Sequence, residues 1–491
     1  MPKAISQTTL ADLSTKLQTP KYDRTKLKTG IVHIGVGGFH RAHQAYYAHQ
    51  LFSKGLAHDW AIEGVGLMEQ DRGTQAALNA QDGLYTLVEQ HPDGRVRSEL
   101  IGSIQMMHLA MDEPAQVIEL LASPETKIIS LTITEGGYNF DSNTGEFILD
   151  NPAIQHDLAH PDSPKTVFGY ITASFLKRYE TGAKGVTLLS CDNVQHNGDI
   201  AKKCFLAFAK AQYPKLLPWI EANVSFPNSM VDRITPVTTE ETRNYITEHF
   251  GFTDKVPVNC EPFIQWVIED DFIEGRPPLE QVGVQFVKDV TAYEHMKLRL
   301  LNAGHSVVGI TGALHGYPTI DACVKDETIA GFLKTYLHQE ATPMLAPVKG
   351  IDVAKYIDVL ITRFSNPHIK DGVSRICSES SAKLPKFLIP TILDNLKNDG
   401  PIRLGTFLLA AWCYYNDKQV NEKEERLEII DEMAQELHKN AVGTKVNPVA
   451  FLETDAVFGD LKNNERFTKT YREMIMLIYD TQDILEAIAT I

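Results

Sequence analysis

GIVHIGVGGFHRAHQAYYAHQLF, residues 30–52, joins a short apolar run to a glycine turn and then to a helical pattern. Ile31 to Ile34 is β-rich, and Gly35, Gly37 and Gly38 follow at once. From Phe39 onward, Ala42, Ala45, Tyr46 and Leu51 are spaced for one buried helix face. Strand, glycine turn and helix are the context in which G-x-G carries meaning. The chain turns tightly there and presents backbone N–H groups at a helix start, where a pyrophosphate can sit. His40 holds the place of the third glycine of the G-x-G-x-x-G pattern, so the turn alone does not separate a dinucleotide site from an ordinary βα turn. Gly35, Gly37, Gly38 and Phe39 are the first cofactor-side candidates.

Further units of the same kind follow. WAIEGVGLMEQD, residues 60–71, reads as a second apolar strand with Glu69, Gln70 and Asp71 after it. A carboxylate at that place accepts hydrogen bonds from an adenosine ribose and repels a 2′-phosphate. Asp71 is therefore the expected ribose contact and NAD the expected cofactor, although Arg72 stands beside it. KIISLTI, 127–133, opens into TEGGY, which adds Glu135 to the cofactor side. GVTLLS, 185–190, delivers Cys191, Asp192 and Asn193 at a strand end, where open parallel sheets bind ligands. VSFPNSMVDRITP, 224–236, places Asp232-Arg233 in a β-like stretch, readable as a buried ion pair or as a carboxylate facing substrate.

VGVQFVKDV, from Val282, reads as one more strand, and after it the character changes. Helical patterns dominate, as at 326–338, 402–415 and 423–440, while SRICSESSAKLPKFLIPTI, 374–392, reads as an irregular loop carrying Arg375, Lys383 and Lys386. The expected organisation is an α/β, Rossmann-type domain over 1–286 and a mainly α-helical domain over 287–491.

YEHMKLRLLNAGH, 293–305, is where the chemistry is expected. On an α-helix Lys297 and His305 lie about 80° apart, with Asn302 about 60° beyond His305. One arc would then carry an acid/base candidate, a neutral amide and an imidazole. Tyr293 and Lys297 also spell Y-x-x-x-K, the pair used by short-chain dehydrogenases, but GVGGFH does not supply the glycine turn that goes with it.

The 491 residues exceed what one core accommodates, and 43% apolar with 22% charged residues is a globular composition. A formal net charge of −16 without a basic run excludes a nucleic-acid partner and an anionic membrane surface. The first thirty residues show no signal-peptide core, and no stretch is apolar enough to span a bilayer, so a cytoplasmic location is expected. Six scattered cysteines without a CxxC pair indicate neither zinc nor disulfides. The absence of a heptad seam is compatible with a monomer and leaves the oligomeric state open.

Taken together, GIVHIGVGGFHRAHQAYY, SLTITEGGY, SCDNVQHNG, MVDRITP and K-x-x-x-x-N-x-x-H at 297–305 resemble the polyol-specific long-chain dehydrogenases, in order over nearly the whole chain. The resemblance implies NAD-linked, metal-independent interconversion of mannitol and fructose. It implies Lys297 as acid/base, Asn193 and Asn302 as the amides that grip the reacting oxygen, and His305 as a substrate-orienting donor. Asp232, Arg375 and Lys383 match positions that line the polyol pocket, and Glu294 matches a glutamate associated with proton passage. Where the family has an acidic pair at the ribose, this chain has Gln70 and Asp71. A sugar-acid oxidoreductase such as fructuronate reductase, or another sugar-alcohol dehydrogenase, is the nearest alternative. A lysine that accepts the hydroxyl proton must be neutral near working pH, well below its usual value of about 10.4.

Overall fold

The computed structural model describes residues 2–141 and 144–491. It divides into two compact units, Met1–Val290 and Thr291–Ile491. The first is built on six parallel strands: β1 (Thr29–Ile34), β2 (Ala61–Gly66), β3 (Ile104–Leu109), β4 (Ile128–Leu131), β5 (Val186–Ser190) and β6 (Val224–Ser225). Their spatial order is β3-β2-β1-β4-β5-β6, the doubly wound arrangement whose direction reverses between β1 and β4. Both faces are covered, which is why these strands read as nearly unbroken apolar runs.

The turn after β1 enters the five-residue helix α1 (Gly38–Ala42) and then α2 (Gln44–Ser53), with His43 as the joint. One face of the sheet packs Ala45, Leu51, Phe52, Ile62 and Ile128 with Trp266 and Ile268. β4 ends near α3 (Thr134–Gly137), a single helical turn, and α4 (Val167–Thr181) and α5 (Asn197–Gln212) follow. These two helices cover the other face, where Val32, Ile34, Ile129 and Leu188 meet Phe168, Phe175, Phe205 and Phe208.

Several local expectations change. The stretch 224–236 holds two short strands, the second being Ser229–Asp232, paired antiparallel with Gln265–Glu269. The strand expected from Val282 is only Gln285–Val287. Tyr85–Gln90 and Val96–Ile101 form an antiparallel pair that the alternating α/β reading overlooks.

In the second unit α6 (Thr291–Met296), a π-helical turn (Lys297–Asn302) and α7 (Ala303–His315) follow one another without a break. α7 is buried on almost every side, with glycines where neighbours come closest. A Cβ at Gly309 would lie 2.7 Å from Ile376 Cγ2, and one at Gly312 2.1 Å from Cys323 Sγ. The helices α8 (Val353–Phe364), α9 (Val373–Cys377), α10 (Ser380–Phe387) and α11 (Arg403–Lys418) surround this region. Residues 374–392, expected as a loop, are thus mostly short helices, broken where Glu379 takes φ +50°. The helix expected over 423–440 begins only at Ala434, because Asn421 Oδ1 accepts from the N–H groups of Lys423 and Glu425 and holds a turn. No helix among the described residues is long and apolar enough to cross a membrane.

Candidate functional site

Gly35 takes φ +97°, and a Cβ there would lie 2.1 Å from the Thr132 carbonyl oxygen. Only glycine fits where β1 and β4 part, the reversal point at which such sheets bind nucleotides. Gly37 and Gly38 differ. Their nearest neighbours to an added Cβ are Gly35 O at 3.9 Å and Thr235 Cγ2 at 3.7 Å, so packing does not require glycine. What they supply is bare backbone open to close approach. His40, in the third glycine's place, is buried and stacks on His33 with ring centres 3.4 Å apart. His33 is fixed by Ser130 Oγ at 2.8 Å and Thr132 Oγ1 at 2.9 Å. Burial pushes His33 down to about 3, and burial followed by the charge of His33 holds His40 well below the usual imidazole range. A neutral imidazole pair therefore backs the glycine turn, with Phe39 stacked on His43 beside it.

At the end of β2, Asp71 Oδ2 accepts the Met68 N–H at 2.9 Å, which sets the carboxylate against its own turn. Arg72 is engaged by Glu69 at 2.7 and 2.9 Å and by Asp112 at 2.7 and 3.0 Å. Those two carboxylates occupy the guanidinium that would otherwise attract a 2′-phosphate. At the end of β5, buried Asp192 accepts from the N–H groups of Ile133 and Thr134 at 3.1 and 2.8 Å and from Tyr138 Oη at 2.8 Å. Burial raises its carboxyl above the ordinary range. Asp192 thereby holds α3, whose Thr134 takes φ +64° and whose Glu135 is exposed. Asn193, the next residue, is exposed at the carboxyl end of β5.

Asp232 is buried at the end of its strand. The carboxylate paired with its neighbour Arg233 is that of Glu89, at 2.7 Å.

In the second unit Lys297 is buried, while Asn302 and His305 are half-buried. The segment was expected to be α-helical, but the Ala303 N–H reaches back five residues to the Leu298 carbonyl. A turn closed by i→i+5 bonds brings Lys297 and Asn302 closer to one side than an α-turn, which would leave them about 140° apart. Asn302 Oδ1 and His305 Nε2 are buried polar atoms with no hydrogen-bond partner among the described residues. The imidazole stacks on Phe364 with centroids 4.1 Å apart. Burial first, then the charges of Arg375, Arg363, Lys383 and Lys297, holds its pKa well below the usual range. His305 is thus a neutral ring beside two arginines and two lysines. Arg375 is gripped by Asp371 at 2.8 and 2.6 Å, and Lys383 donates to the Ile376 carbonyl at 3.2 Å. Burial and then Arg375 lower the pKa of Lys383. Glu294 is buried on α6. Tyr293 is also buried and donates to the Lys349 carbonyl at 2.8 Å, a packing role.

The fold thus gathers Lys297, Asn302, His305, Arg375 and Lys383 in one unit and the glycine turn, Asp71, Glu135, Asn193 and Asp232 in the other. Arg363 and Phe364 escaped the sequence reading, since ITRF at the end of an amphipathic helix carries no chemical signature. Among the described residues no group of three or more His, Cys, Asp or Glu is placed to hold a metal ion.

Residues 29–281 match the family model of the mannitol dehydrogenase Rossmann domain, and residues 289–478 match that of the mannitol dehydrogenase C-terminal domain. A mannitol 2-dehydrogenase of Aspergillus fumigatus is 43% identical over 460 residues, covering 92% of this chain and 91% of that protein. Pseudomonas fluorescens mannitol 2-dehydrogenase, solved as a ternary complex with NAD and D-mannitol, superposes with a TM-score of 0.89 at 41% identity over 99% of both chains. A D-sorbitol dehydrogenase in substrate-free form gives a TM-score of 0.90 at 37% identity, over 99% of this chain and 100% of that one.

Proposed function

Because this chain belongs to the mannitol dehydrogenase family, we propose that it is an NAD-dependent oxidoreductase interconverting D-mannitol and D-fructose. The observation that carries this reading is the 41% identity, over 99% of both chains, with the Pseudomonas fluorescens enzyme whose complex holds NAD and D-mannitol. The residues present fit that cofactor. Gly37 and Gly38 offer open backbone beside the sheet's reversal point, and Asp71 follows β2 with Arg72 already neutralised by Glu69 and Asp112. Phe39 and Glu135 complete the cofactor side. NAD, when bound, supplies the hydride acceptor.

Lys297, as the free amine, takes the proton from the carbinol hydroxyl during oxidation and returns it during reduction. Asn193 and Asn302 donate amide hydrogens to the alkoxide as it develops, each worth about 3 kcal/mol at the transition state. A half-turn about its Cβ–Cγ bond lets Asn302 present nitrogen where its unpartnered oxygen now lies. A neutral amide stabilises negative charge without adding a second proton donor. His305, kept neutral by burial and then by its basic neighbours, orients the substrate through Nε2. Arg375, Lys383 and Asp232 bind the remaining hydroxyls, and Glu294 passes the proton onward. Every role falls to a side chain of the protein, so the reaction is proposed to be metal-independent.

The cations around His305 also favour an acidic substrate, which keeps fructuronate reduction as the second reading. Against it, the Arg375 guanidinium is already paired with Asp371. Comparing NADH-driven reduction of D-fructose and D-fructuronate tests the assignment. Faster reduction of fructose is expected, and a fructuronate rate tenfold higher would reverse it.

A further inference from the structure

We infer that Arg233 is a positioning residue for both ligands, tying the strand that presents Asp232 to the helix that follows the glycine turn. Its side chain is fully enclosed and each donor group has an assigned acceptor. Nη1 donates to the Ala42 carbonyl at 2.6 Å, Nε to the Glu261 carbonyl at 3.0 Å, and Nη2 to Glu89 Oε1 at 2.7 Å. The guanidinium also lies 4.9 Å from the centre of the Tyr46 ring. Ala42 is the last residue of α1, and its carbonyl is one that so short a helix leaves without an internal partner. The preceding carbonyl, of Arg41, is met by Tyr85 Oη at 2.6 Å, and His43 Nε2 lies 2.8 Å from the Gln265 carbonyl. Gln265 is the register partner of Asp232.

The end of α1 is therefore held on one side by Gln265, the register partner of Asp232, and on the other by Arg233, the residue covalently next to Asp232. Successive side chains of an extended chain leave on opposite sides, so anchoring Arg233 fixes the direction in which Asp232 departs. Thr235, two residues on, is what a Cβ added at Gly38 would meet first, at 3.7 Å. A planar fork with fixed donor directions suits three acceptors at once, whereas an ammonium group does not. The buried Glu89–Arg233 pair supplies the anchor, and the two carbonyl contacts transmit it.

This rests on the reading of Asp232 as a polyol contact. Arg233→Lys keeps a cation beside Glu89 and loses the fork. At a temperature where circular dichroism shows the variant folded, we expect the KM for D-mannitol to rise at least tenfold. The Kd for NADH, from nicotinamide fluorescence, should rise at least threefold, with kcat within threefold of the parent. A scaffold role alone would lower the melting temperature and leave KM and Kd within twofold, which would overturn the inference. If Arg233→Lys does not fold, Glu89→Gln weakens the anchor and leaves the carbonyl contacts in place. A KM raised at least threefold then supports the inference, and an unchanged KM overturns it. Asp232→Ala separates the two readings. A raised KM there with an unchanged Arg233→Lys removes only the positioning role, and an unchanged KM in Asp232→Ala removes the polyol contact itself.

Discussion

Lys297 has the most to lose from a single substitution. Lys297→Ala deletes the proposed proton acceptor, so kcat should fall by at least 10²-fold while the KM for mannitol changes little, and added primary amines should restore part of the rate. Turnover within a few-fold of the parent, in steady-state assays, removes that role. Asn193→Ala and Asn302→Ala should each slow hydride transfer about 10²-fold, read by stopped-flow NADH formation in the first turnover. A loss confined to nucleotide affinity would reassign them. Tyr293→Phe should keep most activity, because the hydroxyl is turned to the Lys349 carbonyl. That 293–305 is helical was legible in the sequence, but the geometry of Lys297, Asn302 and His305 was not. An i→i+5 turn leaves no mark on apolar spacing, so an α-helical count put all three on one broad arc, with Lys297 and Asn302 about 140° apart at its ends. Arg363 and Phe364 were invisible for a different reason, since their relation to His305 exists only once α8 packs beside α7.

Among the elements, the glycine turn offers a contrast within three residues. Gly35→Ala meets both a left-handed φ and a clash at 2.1 Å, so it should destabilise the first unit as well as weaken NADH binding. Gly37→Ala meets nothing closer than 3.9 Å and should lower NADH affinity while leaving the melting temperature unchanged. Equal NADH Kd values for Gly37→Ala and parent, by fluorescence titration, would move the pyrophosphate elsewhere. A second π-turn, Leu337–Ala341, carries Glu340, whose oxygens accept the N–H groups of Leu404 and Gly405 at 2.7 and 2.8 Å at the start of α11. Burial lifts this carboxyl to about 7. Glu340→Ala should cost about 3 kcal/mol in denaturant unfolding by stranding two buried donors. Strands β1, β2, β4 and β5 were readable because two-sided burial leaves continuous apolar runs. The short helices over 374–392 were not, because prolines and serines there mimic a loop and only packing against α7 makes them helical.

Across the whole molecule, acidity should act mainly through buried histidines. His33, at about 3 when folded against about 6.5 unfolded, refuses a proton that the unfolded chain accepts. Its contribution is complete above pH 6.5 and is lost as pH falls toward 3, by up to about 1.4 kcal/mol per pH unit. His40 and His305 are shifted in the same direction. Glu340 works oppositely, since its raised pKa makes the second unit lose stability as pH rises from 4.5 to about 7. Guanidinium unfolding at pH 7.0 and 5.5 should therefore show acid loss mainly in the first unit, which holds two of the three histidines. The two-unit organisation follows from a chain that changes from alternating strand and helix to helices alone, a change visible in composition and spacing. The substrate is not legible in that way, because a cation proposed to bind a hydroxyl and an ordinary surface cation look alike in a sequence. The decisive measurement is the initial rate of NADH formation from D-mannitol and NAD, with and without a strong chelator, and with the ketose product identified. We predict D-fructose as product, a rate indifferent to the chelator, and much slower turnover with NADP. No NADH from D-mannitol and NAD, or activity abolished by the chelator, would contradict the account.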